Sequence, residues 1–127
     1  MSLQEGLKAS VTRTVTGDDT AIALGSGDVP VLGTPRVVAW CEAATVEVVA
    51  SELEAGMTTV GTTVRLDHLA PTGVGAEVVA SAELETIDNR RLTFAVSAHD
   101  AGELIASGTI TRIIVDIDRF LAPLARS

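Results

Sequence analysis

Apolar and polar residues along this chain fall into one segment with helical character and several with strand character. Ser10 to Thr16 alternates loosely, with Val11, Arg13 and Val15 on one side and threonines on the other, which predicts a first strand. Gly17 to Pro30, with its glycines and acidic residues, has loop composition. Gly33-Thr34-Pro35 then announces a helix, with Thr34 as N-cap and Pro35 in the first helical position. That helix is expected to run to about Leu53 and stop near Gly56. Its middle, Val37 to Val46, is apolar nearly all round, so something must wrap it.

Beyond the helix the period changes to two. Thr58 to Leu69 sets Val60, Val64, Leu66 and His68 against Thr59, Thr63, Arg65 and Asp67. Ala76 to Thr86 sets Val78, Ala80, Ala82 and Leu84 against Glu77, Ser81, Glu83 and Glu85. Asp88-Asn89 marks a turn, Arg91 to Ala98 puts Leu92, Phe94 and Val96 on one face, and Asp100-Ala101-Gly102 marks another turn. Glu103 to Val115 reads as a long last strand. The short turns predict an antiparallel meander. The expected class is α+β, a large antiparallel sheet wrapped around one long central helix in a single domain over residues 1–127. The last strand is apolar on both faces, Ile105, Ile113 and Val115 against Leu104, Ile110 and Ile114, as it would be if a second copy covered one of them.

Composition narrows the partners. A chain of 127 residues with 46% hydrophobic and 20% charged residues buries enough surface for one core. A net charge of -8 argues against nucleic acid and anionic membrane surfaces. Aromatic residues are 2% and tyrosine is absent, which removes the stacking platforms of single-strand binders. One cysteine, Cys41, makes no internal disulfide and suits a reducing cytoplasm. Neither a signal peptide nor an apolar run long enough to span a membrane is expected. A mean hydropathy of +0.37 fits apolar surface hidden in an oligomer.

Three polar side chains stand among these apolar patterns. Glu42 is alone in Val37 to Val46, where an unpaired carboxylate costs several kcal/mol. Either an arginine pairs with it, Arg65 or Arg112 being candidates, or desolvation raises its pKa toward that of a general acid or base working near neutrality. Thr34 either caps its helix or offers its hydroxyl beside the free N–H groups of the first turn, an oxyanion site. His68 is either a satisfied core residue or an acid/base group. His99 falls on the polar face of its strand and reads as solvated, and Cys41 reads as a small core hydrophobe. Eight residues of helix span about 12 Å and turn by about 80°, so Thr34 and Glu42 of one chain do not touch. A substrate bridges them, or two chains build the site. Two histidines 31 apart, without Cys or carboxylate at ligand spacing, make no legible metal site, and Gly25-Ser26-Gly27 is not a nucleotide fingerprint.

Leu32-Gly33-Thr34-Pro35, Glu42, the strand ending in His68, the Pro71-Thr72-Gly73 turn and Arg112-Ile113-Ile114-Val115-Asp116 through Arg119-Phe120 together resemble the fluoroacetyl-CoA thioesterase-like family of hotdog proteins. The resemblance covers about residues 8 to 123. It implies a homodimeric enzyme that hydrolyses a short or small substituted acyl-CoA, without metal or cofactor, at a site on the subunit interface. It implies Thr34 as nucleophile or water-positioning hydroxyl, Glu42 as base or covalent nucleophile, and His68 as acid/base. The backbone near Gly33 and Leu69 would hold the acyl group and thioester carbonyl. One member of that family encloses its small substrate with an aromatic lid and has a small residue after the histidine that helps read the substrate. Here residues 25–30 hold no aromatic residue and Leu69 follows the histidine, which points to an acyl group other than fluoroacetyl. A hotdog hydratase or dehydratase, which does not need Thr34, and a non-catalytic acyl-CoA binder, in which Glu42 is merely paired, are the alternatives.

Overall fold

The structure, a computed structural model, describes residues 3–125. Strand β1 (Lys8–Thr14) leads through a loop containing the short helix α1 (Ala21–Leu24) to the long helix α2 (Thr34–Val49). Strands β2 (Met57–His68), β3 (Glu77–Asp88), β4 (Arg91–Asp100) and β5 (Glu103–Asp116) follow, and a short helix α3 (Ile117–Leu121) succeeds them. The five strands form one sheet in the order β1-β3-β4-β5-β2, every neighbouring pair antiparallel. One face of the sheet packs on α2. This is the hotdog arrangement, in the α+β class that the strand and helix periods predict.

The meander follows from alternation that the sequence carries openly. Val78, Ala80, Ala82 and Leu84 of β3 and Leu92, Phe94, Val96 and Ala98 of β4 are all buried against α2. From the helix, Val37, Trp40, Cys41, Ala44, Val48 and Val49 complete the core. The turns fall where the sequence marks them. Asn89 (φ 56°), Ala101 (φ 49°) and Gly102 (φ 85°) take left-handed conformations there.

Four details differ from the sequence expectation. First, α2 ends at Val49 rather than near Leu53, and Glu52 N–H turns back to the Val49 carbonyl. Second, the loop before α2 is partly helical, with α1 capped by the Thr20 side chain. Third, α2 is covered on one side only, leaving Val38 half-buried and Ala39 and Val46 exposed along its other face.

The fourth concerns β2. The strand is bulged: Gly61 pairs with Arg112 and Thr63 with Thr111, so Thr62 is an extra residue. A single extra residue reverses which face the side chains take. Thr59 and Gly61 therefore face α2 before the bulge, and Val64, Leu66 and His68 face it afterwards. Val60 lies on the opposite face from His68, contrary to the simple alternation. A second bulge separates the pairs Ala98–Ala106 and His99–Leu104, so Ile105 is buried together with Ala106 instead of sharing a face with Ile113 and Val115.

β2 and β5 approach closely at Gly108, where a Cβ atom would run into the backbone of Arg65 and Leu66. Backbone cannot move aside as a flexible side chain does. Gly108→Ala is therefore expected to cost about 1–3 kcal/mol of stability by overpacking, read as a lower urea midpoint. An unchanged midpoint would contradict this packing of β2 on β5.

Candidate active site

At the start of α2 the N-cap is Gly33, not Thr34, one residue earlier than the sequence suggests. The reason lies in the preceding loop. Gly33 donates its N–H to the Asp19 carbonyl at 2.9 Å, and a Cβ there would stand 3.1 Å from the Ala21 backbone. A side chain there would press on the backbone of α1, so glycine suits this close turn. Thr34 becomes the first helical residue and caps nothing. Its Oγ1 is instead hydrogen-bonded to His68 Nδ1 at 2.7 Å. The two roles weighed for Thr34 thus separate, because Gly33 takes the cap and the hydroxyl is left for His68.

His68 reaches Thr34 because the bulge in β2 turns it toward the helix, opposite the buried Ala106 of β5. Its Nε2 is buried and has no hydrogen-bond partner among the described residues. Desolvation lowers the imidazole pKa below its ordinary 6.5, so the ring is neutral at pH 7. The pair opens into a cleft of about 330 Å³ lined by Gly33, Thr34, His68, Leu69, Ala21 and Val29 among others. The N–H groups of Gly33 and Leu69 are already bonded, to Asp19 and Ile105 respectively. Those two residues therefore bring cleft wall rather than donors. The free donor beside them is the N–H of Thr34, which has no backbone partner among the described residues.

Glu42 lies two turns along α2, and within one chain it does not line that cleft. It is paired, and Arg112 of β5 is the partner: Nη1 donates to Glu42 Oε2 at 3.0 Å. Arg112 is itself held by Thr59, with Nε donating to the hydroxyl at 2.8 Å and Nη2 to the carbonyl at 3.0 Å. Burial pulls the Arg112 guanidinium below its ordinary pKa, and the Glu42 charge opposes this. Gly61 completes the group, since a Cβ there would come within 2.5 Å of Glu42 Oε2. The Glu42 side chain is 35% exposed and paired, so it is not the lone buried carboxylate that the apolar helix pattern suggests. Its Oε1 accepts no hydrogen bond among the described residues.

The structure thus brings Thr34 and His68 together with Gly33 and Leu69, and holds Glu42 apart with Arg112. Cys41 is fully buried, and burial pushes its thiol up to about 11, which removes it as a nucleophile. His99 faces away from α2, opposite Val79 and Leu104. No group of three His, Cys, Asp or Glu able to hold a metal occurs among the described residues. Sequence reasoning missed Thr59 and Gly61. An isolated glycine inside a strand pattern was the available signal, since it marks bulges and close approaches.

The profile of the fluoroacetyl-CoA-specific thioesterase family matches residues 15–118. The fluoroacetyl-CoA thioesterase of Streptantibioticus cattleyicolor is 38% identical over 92 residues, a match covering 72% of this chain and 66%, just under two thirds, of that protein. A solved structure of the fluoroacetyl-CoA thioesterase FlK superposes with a TM-score of 0.92 at 30% identity, over 98% of this chain and 96% of that one. A variant of FlK in complex with fluoroacetate and CoA gives 0.87 at 31% identity, over 93% and 99%. A thioesterase superfamily member from Thermus thermophilus gives 0.88 at 27% identity, over 95% and 90%.

Because Arg112 is the more buried partner, loss of Glu42 strands a charge. Glu42→Leu is expected to cost about 2 kcal/mol, below the usual range for a broken buried pair because Glu42 is partly solvated. Arg112→Met on top of it is expected to recover most of that loss. Guanidinium-chloride unfolding of the two single variants and the double variant checks this, and purely additive losses would contradict the pairing.

Proposed function

This chain belongs to the fluoroacetyl-CoA-specific thioesterase family, and from that premise we propose that it hydrolyses a short-chain or small substituted acyl-CoA to the free acid and coenzyme A. The observation that carries the reading is the 2.7 Å hydrogen bond between the Thr34 hydroxyl, released from capping, and His68 inside a cleft. A hydroxyl with a neutral imidazole at hydrogen-bond distance is the activated-nucleophile arrangement of acyl transfer. His68 Nδ1 takes the proton as Thr34, or a water held by it, attacks the thioester carbonyl. The Thr34 N–H, at the positive end of a 16-residue helix, faces the developing oxyanion. The imidazole then returns the proton to the departing CoA thiolate; where Thr34 itself attacks, a water deprotonated by the same imidazole cleaves the acyl-Thr34 ester, releasing the acid and restoring the hydroxyl. No residue in the segment 25–30 is aromatic and Leu69 lines the cleft, which supports a small acyl group other than fluoroacetyl.

We read residues 1–127 as one catalytic domain of a homodimer in the cytoplasm. Support comes from three exposed features on one side: the free edge of β2, Val64 (41% exposed) and the α2 face ending at Val46 (44%). Antiparallel pairing of two β2 edges about a two-fold between Val64 and Arg65 brings His68 of one chain opposite the Gly61 region of the other. The partner's Glu42, with its free Oε1, then approaches the unpartnered Nε2 of His68. Two chains complete one site, and the 12 Å separation along α2 ceases to be an obstacle.

Free-thiol release from a panel of short acyl-CoAs is the direct test. Release is expected from wild type and a loss of at least about a hundredfold in Thr34→Ala, His68→Ala and Glu42→Gln; an absence of release from every acyl-CoA would sink the thioesterase reading. Mixing Thr34→Ala with Glu42→Ala chains should restore activity, since some mixed dimers hold one intact shared site. No recovery would put the trio within one chain. His68 must be neutral to act, and its pKa is lowered, so kcat/KM should be flat near neutrality and fall only below pH 6.5. An acidic limb above pH 6.5 would contradict His68 as the base.

A further inference from the structure

Coenzyme A carries a phosphorylated nucleotide, and this acidic chain has few cations to meet it. Among the described residues, Lys8, Arg36 and Arg112 are committed to Glu83, Asp19 and Glu42. Of the exposed arginines that enter no ion pair among the described residues, Arg13, Arg65, Arg90, Arg91 and Arg119, two lie together: Arg90 and Arg119. They line one cleft of about 380 Å³ together with Met57, Val115, Asp116 and Phe120. Phe120 is 50% exposed there, an aromatic face open to solvent in a chain with two phenylalanines, one tryptophan and no tyrosine. Asp116 is the opposing charge in the cleft, but its Oδ1 is engaged by the Arg119 N–H as the cap of α3. Two guanidiniums beside an exposed ring match a phosphorylated purine nucleotide: the guanidiniums fork onto phosphate oxygens and the ring stacks on the base.

Within one chain this cleft serves no acyl site. Met57 and His68 are the two ends of β2, about 36 Å apart at 3.3 Å per residue, too far for one coenzyme A to bridge. Antiparallel pairing of β2 edges changes the distance, because it carries the partner's Met57 end past this chain's His68 toward the Leu69-Ala70-Pro71 wall of the acyl cleft. We propose that Arg90, Arg119 and Phe120 bind the 3′-phosphorylated ADP end of coenzyme A for the acyl cleft of the partner subunit. The site rests on the thioesterase reading and its dimer, and gives each substrate two chains to hold it: the acyl end in one, the nucleotide in the other.

Calorimetric titration of wild type and an Arg90→Gln/Arg119→Gln variant with adenosine 3′,5′-bisphosphate tests the pocket without turnover. Binding is expected in wild type, weaker by on the order of tenfold per guanidinium removed, and stronger than for ADP, which lacks the 3′-phosphate. Equal binding by the two proteins, or none by wild type, would overturn the pocket. If the pocket binds while no acyl-CoA is hydrolysed, the pocket stands and the thioesterase reading falls. With turnover, the variant should lose its preference for acyl-CoA over the matching acyl-pantetheine by a similar factor, and an unaltered preference would overturn the assignment to coenzyme A. Finally, the double variant mixed with Thr34→Ala should regain acyl-CoA hydrolysis, because an intact cleft then faces an intact partner pocket. Failure to regain it would overturn the crossing between subunits.

Discussion

The bulge at Gly61–Thr63 reverses the facing of β2 partway along its length, and both polar groups of the site depend on that reversal. Before the bulge, Thr59 and Gly61 turn toward α2, where Thr59 fixes Arg112 and the bare Gly61 leaves room for Glu42. After it, His68 turns toward the same helix and meets Thr34. An unbroken strand with the register that pairs Gly61 with Arg112 would point His68 outward, away from the hydroxyl. The glycine answers two demands at once, since a side chain there would collide with the carboxylate and an isolated glycine also eases the local departure from the ladder.

Much of the fold was legible because its meander obeys a period of two with turn residues between runs. Leu84, Leu92, Phe94 and Ala98 are buried where alternation puts them. The readings that failed did so at irregularities with no period. Two bulged residues, Thr62 and Ile105, broke the alternation of β2 and β5. The N-cap moved to Gly33 because the loop from Asp19 to Ala21 packs on it, a tertiary contact that local propensity does not contain. For the site, Thr34, Glu42 and His68 were visible as polar residues in apolar settings. Which of them touch was not, because the answer depends on the cap, on the bulge and on the choice of Arg112 over Arg65 as the partner of Glu42.

Two kinds of polar pair do different work on α2. The hydroxyl–imidazole pair at its start involves no formal charge, so the cleft can desolvate it without a large penalty, and desolvation keeps the ring neutral. Two turns later, the charged pair is costly to bury, and Arg112 is surrounded by oxygen acceptors that offset the cost. Glu42 is thereby fixed by one oxygen while the other stays available. The same face of α2 is poorly covered by its own sheet. Covering Val46 and Val64 by a second copy and completing the site with the partner's Glu42 are, on this account, one event.

The two-chain site is tested most directly by a crystal structure with a non-hydrolysable thioether analogue of acetyl-CoA. It predicts the acyl carbonyl within hydrogen-bond reach of the Thr34 N–H, and His68 Nε2 facing a Glu42 carboxylate from the second chain. An acyl group bound away from the Thr34–His68 pair, or a Glu42 from the same chain at His68, would contradict it.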